Sequence, residues 1–445
     1  MVSRLSPLHV TLGETEPGWS YSLFDRAVTE SIPERHDLDW KRTLTLLSWE
    51  SATREQKDAT REELAKDIAA MANSGGGMIV YGVDEDRTSP SSGATEITGC
   101  SGVDEATTKT IRQIAASSIY PPVTGLQFHI LRPEDGAEEK SILVMLIPDS
   151  PDRPHLVHPK GKTDWFMAPW RNGPETSTMA ERQLADAYVR RTLEHRRNTA
   201  EFDEVVSSFI ADCNAYQADK SWVIAVARPV APAADPLRLT REDGEAIFGD
   251  AWKNRGRAPL GPQYITAHNQ TRLGMRRVFR AGRTSRTLPD SSQERWLEAR
   301  VEVHGDGTIA VGFTRDGAIP PAPASGSREI AVCDIEQTSL DLLLLLQAST
   351  KIIGAAGDYQ MRIDVVPTTT IFRHPDGMIQ GHFRQWDGQR VTFRPVSGPL
   401  ITEYGIEGLI TSWVELVTDS VAQTGVELRI SHEEVRTWLT GSVHA

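Results

Sequence analysis

The stretch DIAAMANSGGGMIVYGVDED, residues 67–86, decides the fold of the first part of this 445-residue chain. Its beginning continues an apolar pattern at helical spacing, which predicts a helix over 57–72. The residues that would form its buried face are Leu64, Ile68 and Met71. Three glycines follow at 75–77, and we expect them to end the helix because glycine adopts the positive φ of helix C-termini at little cost.

The apolar run Met78–Val83 predicts a strand that is covered on both faces. It ends in the acidic segment Asp84-Glu85-Asp86. Ligands of open sheets bind beside the carboxyl ends of strands, so Asp84 is a candidate site residue. A solvated Asp-rich turn is the alternative interpretation of the same segment.

Upstream of this stretch, residues 37–44 alternate polar and mostly apolar side chains, which is the pattern of a half-buried strand. Asp39 and Lys41 then lie on one face, and Leu38, Trp40 and Leu44 lie on the other. Downstream, helix and strand patterns continue to a long helix over 179–197. The fold class is therefore α/β (α+β), and the predicted divisions are an extension at 1–30, a first domain at 31–198 and a second α/β domain at 199–445.

The composition is that of an ordinary globular protein, with 39% hydrophobic and 24% charged residues. The 48 Lys and Arg against 61 Asp and Glu give a net charge of −13, which excludes a polybasic protein but not local basic patches. The three cysteines form no CxxC pair, so we expect no zinc finger. The first residues show no signal-peptide pattern and no apolar run reaches the about 20 residues of a membrane span, so we expect a cytoplasmic protein.

Three motifs occur in order along residues 35–180. They are Asp39-Trp40-Lys41, the Asn73-x-Gly-Gly pattern with its strand and Gly82-Val83-Asp84, and the aromatic pair Trp165-Phe166 followed by Arg171-Asn172-Gly173. In these motifs the chain resembles the Schlafen-type AlbA-like domain, in which the aromatic pair lies in a strand that precedes the Arg-x-Gly motif. The resemblance implies an N-terminal mixed-sheet domain that handles nucleic acid, and it does not extend to residues 199–445.

The resemblance also implies a site. In nuclease-active Schlafen members, two acids near the first strand and one in the Gly-Val-Asp turn bind a divalent metal, and the matching residues here are Glu34, Asp39 and Asp84. Such carboxylates would hold Mg²⁺ or Mn²⁺. Lys41 would contact the phosphate, and Arg171 would be a further anchor. The implied activity is that of a metal-dependent endoribonuclease acting on structured RNA such as tRNA, with RNA favoured over DNA. The alternative is a non-catalytic DNA-binding transcriptional regulator or scaffold.

Two groups of arginines are candidate nucleic-acid contacts because guanidinium groups bind phosphate. They are Arg190, Arg191, Arg196 and Arg197 near the end of the long helix, and Arg272, Arg276, Arg277, Arg280 and Arg283 in a segment without Asp or Glu. A helix end that complements the macrodipole and an ion-paired face are the respective alternatives. The glycine turn at 75–77 follows a helix and lacks the GxxxxGK[ST] string, so we expect no ATP. The sequence leaves homo-oligomerisation open.

Overall fold

The structure is a computed structural model of the whole chain. It describes residues 6–15, 18–86, 93–134, 136–158, 165–215, 220–230, 236–254, 261–287, 294–315, 329–354, 357–373, 378–379, 382–383, 389–402 and 405–440. The chain divides into two compact units, Val2–Asn198 and Thr199–Ala445. Each unit is described by itself below.

The N-terminal unit is a mixed α/β domain. Its helices are α1 (Pro7–Thr11), α2 (Tyr21–Thr29), α3 (Arg54–Asn73), α4 (Glu105–Ser118) and the first part of α5 (Glu181–Asn214), with 3-10 helices at Thr45–Ser51 and Glu138–Lys140. Its strands are β1 (Leu38–Lys41), β2 (Gly77–Tyr81), β3 (Val83–Glu85), β4 (Ala94–Ile97), β5 (Ile119–Tyr120), β6 (Gln127–Leu131), β7 (Ile142–Ile147), β8 (Leu156–Val157), β9 (Pro169–Asn172) and β10 (Glu175–Thr178). The main sheet has the order β1-β2-β7-β6, in which β1 and β2 are parallel and the other pairs are antiparallel.

Strand β2 is covered on both faces, as its apolar sequence predicts. Met78 and Val80 belong to a core cluster that includes residues of α1 and α2. Ile79 and Tyr81 belong to a second cluster, built with α3 and α4. The strand therefore lies between two packed layers, and α1 and α2 belong to one of them.

Helix α3 begins three residues before the predicted start. Thr53 and Gln56 form a capping box, in which the Gln56 N–H donates to the Thr53 hydroxyl at 3.3 Å and the Thr53 N–H donates to the Gln56 side chain at 2.8 Å. Such a box satisfies N–H groups that the first helical turn leaves without partners. The predicted buried face is confirmed, since Leu64, Ile68 and Met71 all lie in the core.

The first strand is shorter than predicted. It ends at Lys41, and the chain then enters the 3-10 helix. As a result Leu44 packs in the cluster around α3, whereas Leu38 and Trp40 pack in the opposite cluster. The predicted placement of Leu44 on the Trp40 face is therefore wrong, because strand alternation stops before this residue.

The C-terminal unit is built around one antiparallel sheet. Its helices are the last part of α5, α6 (Arg241–Asn254), α7 (Pro262–Thr266), α8 (Val332–Ile353), α9 (Gly405–Ala422) and α10 (His432–Thr440). Its strands are β11 (Trp222–Pro229), β12 (Arg272–Gly274), β13 (Arg277–Thr287), β14 (Glu294–His304), β15 (Ile309–Arg315), β16 (Glu329–Ala331), β17 (Tyr359–Val366), β18 (Thr369–Arg373), β19 (Met378–Ile379), β20 (His382–Phe383), β21 (Gln389–Thr392) and β22 (Val396–Leu400). The seven-stranded sheet has the order β12-β13-β14-β15-β11-β17-β22.

Helices cover both faces of this sheet. The larger core lies between the sheet and α6, α8 and α9. On the other face, Phe202, Val206, Phe209 and Cys213 of α5 pack against β11 and β15. The predicted end of this helix at Arg197 is therefore wrong, because the apolar spacing continues and the sheet buries it. Among the described residues, no helix combines the length and the apolar character needed to cross a membrane.

Candidate functional site

Five ionisable residues come together beside β1 and α3, and we call them the polar cluster. They are Glu34, Asp39, Lys41, Asp67 and Arg171. Asp39 and Lys41 lie on the same face of β1, which is an edge strand of the main sheet. Asp67 comes from the buried side of α3, and Arg171 comes from β9. Residues far apart in the sequence are thus brought to one sheet edge.

Asp39 is neutralised by two cations. Its Oδ2 atom lies 2.9 Å from the Lys41 Nζ, and its Oδ1 atom lies 3.2 Å from a terminal nitrogen of Arg171. The side chains of Asp39 and Arg171 are only 2% and 3% exposed. A buried carboxylate is costly unless it is paired, and this one has a cation at each oxygen.

The glycine-rich turn positions Arg171. The Arg171 N–H donates to the Ser74 hydroxyl at 2.7 Å, directly after α3. The Asn73 amide donates to the carbonyl oxygens of His155 at 3.0 Å and Pro169 at 2.7 Å, which fixes the chain before β9. The Asn-Ser pair therefore joins the end of α3 to the strand that carries Arg171.

Close packing explains the glycine at position 76. A Cβ atom there would lie 2.6 Å from the Asp149 backbone nitrogen, and φ is +82°. The Gly76 N–H donates to the Met71 carbonyl oxygen at 2.9 Å, which ends the helix. These contacts agree with the predicted helix C-terminus.

Asp67 is a member of the cluster that the sequence analysis missed. One of its carboxylate oxygens lies 3.8 Å from the Lys41 Nζ. Burial raises the pKa of Asp67 to about 6, with Lys41 opposing and Asp39 adding to the shift. Burial also lowers the pKa of Lys41, but Asp39 and Asp67 outweigh this effect and the net direction is upward. Lys41 therefore stays charged at neutral pH.

Glu34 holds a proton in this environment. One carboxylate oxygen of Glu34 accepts a hydrogen bond from the Trp40 N–H at 2.9 Å. Burial, followed by the charge of Asp39, raises the pKa of Glu34 to about 8. At pH 7 the protonated form of Glu34 therefore dominates.

Asp84 has a different partner. It lies on β3, where one of its oxygens is 3.4 Å from a terminal nitrogen of Arg42.

Within the described ranges, no group of three or more His, Cys, Asp or Glu side chains is arranged to hold a metal ion. The structure brings Glu34 and Asp39 together, but the three predicted ligands do not fit a metal as they lie, since Asp39 is occupied by Lys41 and Arg171.

Comparison with known proteins identifies the region around this cluster. The Schlafen, AlbA_2 family matches residues 34–180, about a third of the chain. The N-terminal unit contains a Schlafen AlbA-like domain. A solution NMR structure, the N-terminal domain of a RecG-related protein from Nitrosomonas europaea, is 16% identical, with 35% of this chain and 86% of that chain covered and a TM-score of 0.21. No curated protein matches the chain.

The polar cluster lies within the AlbA-like domain, and all five of its members fall inside the matched residues. One of the three predicted motifs differs in its local structure. Trp165 and Phe166 precede β9 instead of lying in a strand, and they are 43% and 52% exposed. Phe166 packs edge-to-face against Tyr120, with 6.0 Å between the ring centroids.

The predicted arginines lie in two kinds of environment. Arg190, Arg196 and Arg197 of α5 are exposed, and Arg191 lies 3.8 Å from Asp152. Arg272 and Arg276 are exposed as well. The remaining members of the second group form ion pairs within the C-terminal unit, and these are Arg277, Arg280 and Arg283.

Proposed function

We propose that the AlbA-like domain binds nucleic acid at the sheet edge formed by β1. The family points to nucleic-acid binding. The observation that carries the proposal is the neutralisation of Asp39 by Lys41 and Arg171. Because Glu34 is protonated as well, the acids of the polar cluster present little net negative charge to a phosphate.

Arg42 is the cation that we expect to contact the phosphate backbone. Its side chain is 64% exposed, and its ion pair with Asp84 spans 3.4 Å. An exposed pair of this kind contributes about 0–1 kcal/mol, so a phosphate group competes with Asp84 easily. Arg42 is not among the residues predicted from the sequence, although it follows Lys41 directly.

The test compares two exposed arginines of the same unit. Arg132 is 56% exposed and lies 3.6 Å from Glu138, so Arg132→Gln is a matched control for Arg42→Gln. Binding of labelled RNA hairpin and DNA duplex is measured by fluorescence anisotropy over a salt series. We expect Arg42→Gln to weaken binding several-fold and to reduce the salt slope by about 0.9, the value for one phosphate contact. No binding by the unmodified protein, or equal effects of both variants, would contradict the proposal.

A narrower hypothesis is metal-dependent cleavage of structured RNA. One observation favours it, which is that β1 places Asp39 2.9 Å from the Lys41 Nζ and donates its Trp40 N–H to Glu34 at 2.9 Å, so that both acids lie at the same strand. Mg²⁺ or Mn²⁺ at this site would require Asp39 to release its cations and Asp84 to release Arg42. RNA hairpin is incubated with Mn²⁺ or Mg²⁺ and with the unmodified protein or Asp84→Ala. Cleavage that only the unmodified protein performs supports the endoribonuclease, and intact RNA in every lane leaves binding alone.

We also propose a cytoplasmic location. In the described structure Cys100 and Cys213 are buried thiols outside any disulfide, a state that a reducing compartment would maintain. Extraction of the protein from fractionated cells checks this, and recovery in a secreted fraction would contradict it.

A further inference from the structure

The hairpin of β12 and the start of β13 ends in an unusually exposed tip. Gly274 pairs with Arg277, so Met275 and Arg276 alone form the turn. Arg276 adopts a φ of 56°, in the left-handed region. We call residues 272–276 the hairpin tip.

The tip combines bare apolar surface with free cations. Met275 is 91% exposed and Leu273 is 56% exposed. Arg272 and Arg276 are exposed too, and neither guanidinium group forms a hydrogen bond or ion pair with any residue that the structure describes. Two unpaired guanidinium groups around an exposed methionine are notable in a chain whose net charge is −13.

The base of the hairpin is held by partly buried ion pairs. Arg277 lies 2.9 Å from Asp212 and 2.8 Å from Glu302. Glu302 is fully buried and also binds Arg300 at 2.6 Å. Burial of these charges is costly without partners, so the network favours one position of the strand that follows the tip.

A second group of contacts fixes β13 three residues further along, at Arg280. Arg280 is 8% exposed and pairs with Glu245 of α6. It also donates to the Thr271 hydroxyl at 3.0 Å and to the Ala267 carbonyl oxygen at 3.3 Å. The arginines of this segment therefore divide into two sets, one that anchors the hairpin and one that is presented at its tip.

We propose that the hairpin tip is a second nucleic-acid contact, made with the groove of a duplex. A two-stranded β-ribbon fits a duplex groove, and proteins insert methionine or leucine between base steps while arginines bind the flanking phosphates. Met275 and Leu273 are the apolar wedge, and Arg272 and Arg276 are the phosphate contacts. The inference rests on the proposed nucleic-acid function but assigns a site that belongs to the other unit of the chain.

The test removes two charges at the tip and two elsewhere on the same unit. The full chain carrying Arg272→Gln and Arg276→Gln is compared with the full chain carrying Lys253→Gln and Lys351→Gln, whose lysines are 77% and 65% exposed and share Asp250 as a weak partner. Anisotropy is measured with a DNA duplex and with an RNA hairpin, which shows whether the tip binds duplex DNA or duplex RNA. We expect the tip variant to bind about tenfold more weakly and to lose about 1.8 units of salt slope, and we expect the control to bind as the unmodified protein does.

A third variant separates the wedge from the charges. Met275→Ala should weaken duplex binding about threefold to tenfold without changing the salt slope, because no phosphate contact is lost. All these side chains are exposed, so the circular dichroism melts of the variants should match that of the unmodified protein. A match excludes misfolding as the cause of weaker binding. Equal losses in the tip and control variants overturn the inference, as does unchanged binding by the tip variant.

The outcomes also distinguish this inference from the proposed function. If Arg42→Gln weakens binding and the tip variant does not, the hairpin assignment fails and the AlbA-like interface stands. If the tip variant weakens binding and Arg42→Gln does not, the AlbA-like interface fails and the hairpin assignment stands. Sedimentation with anionic phosphatidylserine vesicles in the absence of duplex binding overturns the inference in favour of a membrane contact.

Discussion

Removal of Arg171 should destabilise the AlbA-like domain by leaving Asp39 partly unpaired. In Arg171→Met the Asp39 carboxylate keeps Lys41 at 2.9 Å, but it loses the partner whose side chain is 3% exposed. Loss of one member of a buried ion pair costs about 3–5 kcal/mol. Because Lys41 remains and is 30% exposed, we expect a value near the lower end, about 3 kcal/mol.

A double-mutant cycle isolates the pair itself. Asp39→Asn is combined with Arg171→Met, and the coupling energy is the part of the two single effects that does not add. The structure predicts a coupling of about 2 kcal/mol, because the pair is buried. The matched control cycle uses Arg42→Gln and Asp84→Asn, whose side chains are 64% and 26% exposed, and we expect less than about 1 kcal/mol there.

Native-state hydrogen exchange in the full chain is the appropriate assay. The two units of the chain need not unfold together, so a single denaturation midpoint would mix them. Exchange of the amides of β2, residues 77–81, reports the free energy of opening of the unit that contains the pair. Equal coupling energies in the two cycles would refute the view that Asp39 and Arg171 form a buried, mutually required pair.

Two further predictions concern the same domain. The raised pKa of Glu34, about 8, means that the folded state holds a proton that the unfolded chain has released. The stability that this proton contributes is fully present below the ordinary pKa of glutamate and is lost as the pH rises to about 8. Between pH 6 and 8, a range above the pKa of Asp67, the free energy of unfolding should fall by at most about 1.4 kcal/mol per pH unit, and the partial exposure of Glu34 reduces this value. Exchange measured at pH 6, 7 and 8 should show this fall in the unmodified protein and not in Glu34→Gln, and identical pH dependence would contradict it. Gly76→Ala should lower the free energy of unfolding by about 3 kcal/mol or more, because the added Cβ would meet the backbone of Asp149. Gly75 also has a positive φ but open space around it, so Gly75→Ala should lower this free energy by only about 1 kcal/mol. Equal losses in the two variants, measured by unfolding, would contradict the packing argument.

The elements that the sequence predicts well are those whose pattern depends on neighbours along the chain. The stripe of Leu64, Ile68 and Met71 gives α3, and the unbroken apolar run after it gives β2. The same stripe also contains a signal for the polar cluster. Asp67 lies three residues after Leu64 on the buried face, and a charged residue in an apolar stripe indicates a buried polar contact.

What the sequence does not give is the partner of each charge. The resemblance predicts that Asp39 binds metal with Glu34 and Asp84, but the residues that pair with Asp39 are Lys41 and Arg171, and Arg171 lies 132 positions away. The metal assignment stays a prediction, because the sequence alone does not show whether an aspartate pairs with cationic side chains or binds Mg²⁺. The distinction depends on whether β9 delivers a guanidinium group to the site, and that follows from Asn73 and Ser74 at the end of α3.

The arginine-rich segment of the C-terminal unit shows the same principle in one strand. A run of arginines without nearby acids predicts an open cationic surface, yet the acids that neutralise Arg277 and Arg280 come from α5, α6 and β14. Tertiary structure thus removes these two arginines from the available charge, while it leaves Arg272 and Arg276 exposed at the turn. The anchored arginines are what allow the exposed ones to act, because a hairpin fixed at its base loses little conformational freedom when its tip enters a groove.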